Sequence, residues 1–258
     1  MLRAFDAAVF DLDGVVTFTA RVHAAAWKQL FDEFLRRRAQ LRHEPFDSFT
    51  EEDYRAYVDG RPRADGIRTF LAARGIRLPD GSPDDASGAE TVAGLARRKD
   101  ELFRALLEEG GVEVDADALV FIRSLRANGI RTGVASSSKN ASLILESTCI
   151  TDLFDACVDG WTLEKRGLRG KPAPDLFLAC LESLEVRDPT RALLVEDAVV
   201  GVQAGRAAGF GLVLGIDRSG NAAALREHGA DVVVSTFREI SIDQIDAEFR
   251  KRQRERSA

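Results

Sequence analysis

Four short stretches carry the side chains of this sequence that could do chemistry together. Asp11-Leu12-Asp13-Gly14 closes a short apolar run, and Ser136-Ser137-Ser138-Lys139-Asn140 follows another. Gly170-Lys171-Pro172 stands in a loop ahead of a helical pattern, and Glu196-Asp197 ends a third apolar run. Together they offer carboxylates, a hydroxyl and an ammonium, a set suited to phosphoryl transfer. A phosphate monoester repels nucleophiles through its own charge, and its uncatalysed hydrolysis is among the slowest reactions known. The remedy is charge neutralisation and positioning, because the transition state is loose. A Mg²⁺ held by hard oxygen donors such as Asp11 and Asp197, with Asp13 and Glu196 in the same acidic set, would bridge nucleophile and phosphate. Lys171 and the Ser136 hydroxyl would hold the remaining phosphate oxygens. Asp11 would attack to form an aspartyl phosphate. Asp13, two residues on, would protonate the leaving oxygen and later deprotonate the next acceptor.

Each stretch has a plainer reading when taken alone. D-x-D-G can begin a calcium loop, but Val15, Thr17 and Phe18 do not continue the oxygen-ligand pattern and no Glu stands at the twelfth place. A serine run after a strand is commonly a turn or an N-cap. Lys before Pro suits a surface loop, and Glu-Asp can cap a helix. The force lies in the conjunction: each stretch falls at a strand end or in a loop beside one, where open α/β sheets bind their ligands.

The elements that must position these residues follow from periodicity. Ala7-Ala8-Val9-Phe10 reads as a buried strand. From about Ala20 to Gly110 the signals are helical, with Trp27, Leu30, Phe31 and Phe34 in one stripe, Ile67, Phe70 and Leu71 in another, and Leu95, Leu102, Phe103 and Leu106 in a third. Pro79, Gly81, Pro83 and Gly88 mark loop within this block. After Gly110-Gly111 the pattern alternates. Strands are predicted at Thr132–Ala135, Ala192–Val195, Leu212–Ile216 and Val232–Val234, and helices at Ala118–Arg126, from Ala141, at Asp175–Leu184, Val199–Ala208 and Ala222–Glu227. Alternation of this kind predicts a doubly wound parallel sheet with helices on both faces. The fold class is therefore α/β, with a Rossmann-like core at 1–19 and 112–258 interrupted by an all-helical insert at 20–111. The basic tail Arg250–Arg256 reads as a solvated helix end.

The four ordered motifs, Asp11-Leu12-Asp13-Gly14, Ser136, Lys171 and Glu196-Asp197, resemble those of the haloacid dehalogenase superfamily, and the helical insert resembles the cap of one of its classes. Within that superfamily the chain is similar to the β-phosphoglucomutase branch. The resemblance is carried by Thr19–Lys28, Ala135–Asn140 and Gly170–Asp175. It implies Mg²⁺ as cofactor, catalytic roles for Asp11, Asp13, Ser136 and Lys171, and substrate contacts from Ser138 and Asn140. In the insert it implies substrate roles for His23, Trp27, Gly60, Arg63 and Lys99, with Arg63 gripping the second phosphate of a bisphosphate and His23 helping to set the acid–base residue. The sequence departs from the pattern at three places. Phe18 replaces an acidic residue, Asp115-Ala116-Asp117 replaces a Pro-Gly, and a few residues are inserted within Trp161–Arg169.

Composition limits the rest. At 258 residues, with 45% hydrophobic and 30% charged residues, the chain has material for a sizeable core. A net charge of −6 argues against a broad nucleic-acid surface. Three cysteines without C-x-x-C spacing argue against disulfides or zinc and predict buried thiols in a reducing compartment. Asp6, Asp11 and Asp13 break any signal-peptide core, and no run reaches the ~18 apolar residues of a membrane span. A cytoplasmic monomer acting on a small phosphorylated metabolite, without nucleic-acid or membrane partners, is expected. A phosphohexose mutase acting through a bisphosphate leads the readings, followed by a phosphatase of the same family. A non-catalytic sugar-phosphate-binding regulator comes last, because Asp11 and Asp13 are both present.

Overall fold

The computed structural model describes residues 3–257, with side chains described to residue 255. In chain order the elements are β1 (Ala7–Phe10), α1 (Thr19–Arg42), α2 (Glu51–Asp53), a single π-helical turn at Tyr54–Val58, α3 (Arg63–Ala73), α4 (Val92–Gly110), α5 (Ala116–Ala127), β2 (Arg131–Ala135), α6 (Ala141–Ser147), β3 (Ala156–Val158), α7 (Gly160–Arg166), α8 (Asp175–Ser183), β4 (Ala192–Glu196), α9 (Val199–Ala208), β5 (Leu212–Ile216), α10 (Ala222–Glu227), β6 (Val232–Val234) and α11 (Ile242–Ser257). The chain divides into two compact units. One runs to Phe18 and resumes at Val114; the other is Thr19–Glu113. The sequence had suggested 20–111 for the insert.

The first unit is built on a parallel six-stranded sheet in the order β3-β2-β1-β4-β5-β6. β1 lies at its centre, with Ala7–Phe10 in register with Arg131–Val134 on one side and Ala192–Val195 on the other. All four β1 residues and all five of β4 are buried, as expected of strands covered on both faces by helices. β1 ends at Phe10, directly before Asp11, and β4 ends at Glu196, so the central strand pair delivers both carboxylates to the same end of the sheet.

β3 lies in a stretch for which the sequence suggested no element, and α7 overlaps the segment Trp161–Arg169 where it suggested only an insertion. β3 is three residues long on the sheet edge, with Cys157 outward. The cysteine expectation is corrected accordingly. Cys180 is buried, but Cys149 and Cys157 are exposed, one in a positive-φ turn after α6 and the other on that edge strand. The basic tail is mostly solvated, with Arg250, Lys251, Arg254 and Glu255 exposed, but the helix that leads into it is anchored. α11 buries Ile242, Ile245 and Phe249, and the Phe249 ring stacks on Phe5 at 4.8 Å. The Asp246 carboxylate accepts the Ala4 amide at 2.6 Å. Within the basic stretch Arg252 pairs with Asp231 at 2.9 Å and Gln253 donates to the Ala4 carbonyl at 3.0 Å, whereas the Arg256 side chain lies outside the described residues.

The second unit packs α1, α3 and α4 through an aromatic core. Phe31, Phe49 and Phe70 meet with ring centroids 4.2–5.0 Å apart. The helical stripes read in the sequence supply its buried faces. Among the described residues no helix is long and apolar enough to cross a membrane.

Candidate active site

Asp11 leaves β1 with its amide on the Val195 carbonyl at 3.0 Å, so the sheet ladder itself fixes the residue. Leu12 is fully buried behind it, and the chain then turns at Gly14, where φ is +93°. A Cβ at Gly14 would lie 1.9 Å from Asp197 Oδ2, so glycine is required for the turn and for the approach of that carboxylate alike. The turn is closed by the Gly14 amide on the Thr17 carbonyl at 2.7 Å and by the Thr17 hydroxyl on the Leu12 carbonyl at 3.1 Å.

Lys171 lies between two carboxylates. Its ammonium donates to Asp11 Oδ1 at 2.5 Å and to Glu196 Oε1, and the three side chains are 2%, 5% and 0% exposed for Lys171, Asp11 and Glu196 respectively. Burial alone would discharge the lysine, but Asp11 and Glu196 outweigh it and hold its pKa above the ordinary value. At Asp11 burial pushes the pKa well up; Lys171 opposes this, while Glu196 and Asp13 add to it. One buried ammonium thus faces more negative charge than it can neutralise. Glu196 is fully committed, since its Oε2 accepts the Ala198 amide at 2.7 Å. Gly201, in the first turn of α9, makes room for it: a Cβ there would fall 1.8 Å from Glu196 Oε1.

Asp13 has a different neighbour. The Ser136 hydroxyl donates to Asp13 Oδ2 at 3.0 Å and accepts the Ser138 amide at 3.0 Å. Ser138 Oγ in turn accepts the Asn140 amide at 3.1 Å, which closes the loop after β2 and leaves Asn140 buried. Lys139, between them, pairs with Glu164 of α7 at 2.5 Å and lies 4.2 Å from the Trp161 ring centre. The inserted segment therefore folds onto the second motif, which sequence reading missed.

The excess of carboxylates fits a hard divalent cation. Mg²⁺ keeps several waters and takes one or two carboxylates plus substrate phosphate oxygens. With Glu196 occupied by Lys171 and Ala198, Asp11 and Asp197 are the carboxylates fitted to hold it.

The helical unit has its own cluster. Lys99 is 1% exposed; its ammonium donates to His23 Nδ1 at 2.5 Å and stands 4.6 Å from the Phe103 ring centre and 5.2 Å from that of Trp27. The His23 ring stacks on Phe103 at 4.0 Å, and Trp27 stacks on Phe31 at 5.2 Å. Three residues named from the sequence are thus brought together, with Phe103 the member that was missed although it lies one helical turn beyond Lys99. Arg63 is placed apart from them, at the start of α3 and just after Gly60, which turns with φ of +68°. Its guanidinium donates to Asp100 at 2.6 Å and to the Ala96 carbonyl at 3.2 Å. The fork expected to meet phosphate is engaged by the helical unit itself.

Comparisons with known proteins agree with this architecture. The model of the haloacid dehalogenase-like hydrolase family matches residues 5–209. β-Phosphoglucomutase of Mycobacterium bovis is 46% identical over 238 residues, which is 91% of this chain and 90% of that protein. The crystal structure of β-phosphoglucomutase from Clostridium difficile superposes with a TM-score of 0.76 at 24% identity, over 96% of this chain and 98% of that one, and shows the shared fold. CbbY from Rhodobacter sphaeroides in complex with xylulose-(1,5)bisphosphate superposes with a TM-score of 0.65 at 25% identity, over 92% of this chain and 96% of that one. Its sheet, its four ordered motifs and these matches over most of its length agree: the chain belongs to the haloacid dehalogenase-like hydrolase family.

Proposed function

We propose that this enzyme is a Mg²⁺-dependent phosphohexose mutase that interconverts hexose 1- and 6-phosphates through a bisphosphate and a phospho-aspartate at Asp11. The observation that carries the reading is the buried Asp11–Lys171–Glu196 arrangement at the ends of β1 and β4. Lys171 holds the Asp11 carboxylate in place and offers its ammonium to the incoming phosphate. An Asp11 oxygen attacks phosphorus as the bond to the sugar oxygen breaks, and Asp13 gives its proton to that departing oxygen. In the return step Asp13 takes the proton of the accepting sugar hydroxyl, which attacks the aspartyl phosphate and restores the carboxylate. The Ser136 hydroxyl, donating to Asp13 at 3.0 Å, orients the acid–base residue. When bound, Mg²⁺ supplies charge neutralisation for the phosphate and for the crowded carboxylates. The mutase reading is supported by the 46% identity to a β-phosphoglucomutase along nearly the whole chain. His23, Lys99 and Arg63 are the residues of the helical unit assigned to the sugar and its second phosphate. They occupy a buried cluster and a neighbouring ion pair there.

The test is incubation of the pure protein with β-glucose 1-phosphate, trace glucose 1,6-bisphosphate and Mg²⁺, with glucose 6-phosphate and free phosphate assayed together. Glucose 6-phosphate in excess over free phosphate is expected. Stoichiometric free phosphate with no glucose 6-phosphate would make the enzyme a phosphatase.

A further inference from the structure

Two departures of this sequence, Phe18 and Asp115, lie about a hundred residues apart, and the structure brings both to one side chain. Arg218 follows β5 and is 20% exposed. Its Nε donates to the Gly14 carbonyl at 2.9 Å and its Nη2 to the Val15 carbonyl at 3.3 Å. Nη2 also donates to the Asp115 carboxylate, and the guanidinium carbon stands 5.0 Å from the Phe18 ring centre. The other Asp115 oxygen caps α5 by accepting the Asp117 and Ala118 amides at 2.8 and 3.2 Å. The two passes are also joined to each other. The Asp115 amide donates to the Val16 carbonyl at 2.9 Å, and Thr17 forms an antiparallel bridge with Val114.

These contacts fall at the two places where the chain passes between units, after Phe18 and before Val114. One planar guanidinium, with donors in a fixed fork and a face that stacks on an aromatic ring, can hold a carboxylate, two carbonyls and a phenyl at once; a lysine cannot. We infer that Arg218 is a positioning residue that fixes both passes of the chain into and out of the helical unit, and so governs turnover of substrates that need that unit. Phe18 and Asp115 are its paired supports: the ring packs against the guanidinium on one pass, while Asp115 supplies the charge on the other.

The inference rests on the proposed mutase reading, because it assigns hexose phosphate, and not acetyl phosphate, to the helical unit. The test compares Arg218→Met with wild type on both substrates, alongside amide hydrogen exchange. Hexose phosphate turnover is expected to fall at least about 10-fold, with acetyl phosphate hydrolysis within about twofold, since loss of a distant positioning contact costs rate where geometry must be held. Exchange should quicken at Gly14 and Asp115 while the β4 amides stay protected, a pattern that general destabilisation would not give. Arg218→Lys should recover part of the loss. Phe18→Leu, which keeps every hydrogen bond and removes only the stacked ring, should show the same substrate bias in weaker form and keeps the test open should Arg218→Met fold poorly. Equal losses on both substrates, or unchanged exchange at Gly14 and Asp115 in folded variants, would overturn the inference. Failure of the wild-type protein to form glucose 6-phosphate would instead count against the mutase reading.

Discussion

Replacing Glu196 by Gln separates two roles that the sequence leaves merged. As an acidic residue closing an apolar run it reads as a metal ligand; in the structure it is a buried acceptor for two donors, Lys171 Nζ and the Ala198 amide. A glutamine of the same shape has one acceptor oxygen and one NH₂ donor. Whichever way the amide turns, a donor faces a donor at a fully buried side chain. Orphaning a buried donor costs about 1–3 kcal/mol, and turning the other contact from charge-assisted to neutral costs roughly 1 kcal/mol more. Glu196→Gln should therefore lose about 2–4 kcal/mol of unfolding free energy in urea titrations. Turnover should fall about 10-fold or more, because Lys171 loses one of its two anchors. The Mg²⁺ concentration for half-maximal activity should stay near the wild-type value. A loss of stability below about 1 kcal/mol, within reach of an ordinary surface change, would refute the double-acceptor role. Full turnover restored by extra Mg²⁺ would refute it equally and assign Glu196 to the metal.

Asp11→Asn should lose at least ~10³-fold in turnover, since an amide cannot form the acyl phosphate; ordinary activity in the folded variant would rule out the nucleophile. EDTA should abolish activity and Mg²⁺ restore it, with Ca²⁺ binding in looser geometry without supporting turnover; full rates in metal-free buffer would give the carboxylates another role. Gly201→Ala changes no charge, yet its methyl would overlap Glu196, so activity should fall with the Glu196→Gln signature, and wild-type kinetics would show that α9 can shift. Arg63→Ala should cut hexose phosphate turnover ~10²-fold while sparing acetyl phosphate, because two charge-assisted contacts of ~1.5–3 kcal/mol each can be lost. An unchanged ratio of the two activities would leave Arg63 with only its structural pairing to Asp100.

The sheet was legible because its strands are short apolar runs alternating with helical stripes, and its ligand-bearing ends because Asp11, Ser136 and Glu196 directly follow those runs. β3 escaped because three residues on an edge, one of them an outward cysteine, carry no periodicity. α7 had signals that went unread: Asp159 caps its start by accepting the Thr162 amide, and Gly167 ends it in the left-handed region. Partnerships were harder to read than positions. Nothing in the order of residues says that Lys171 takes Glu196, that Arg63 turns to Asp100, or that Arg218 collects Phe18 and Asp115. Each pairing joins residues 25 to 200 positions apart and depends on how whole elements pack.

The place of β1 in the sheet has a consequence for assembly. The strand that carries Asp11 is made first, yet both of its hydrogen-bonding neighbours are made much later, at Arg131–Ala135 and Ala192–Glu196. Closing contacts across so many residues is entropically slow, whereas Thr19–Glu113 packs largely through helices near in sequence. During synthesis the helical unit can therefore organise while β1 still waits for partners. A ribosome-bound chain that has not reached Glu196 carries Asp11 but lacks the strand and the carboxylate that complete its surroundings.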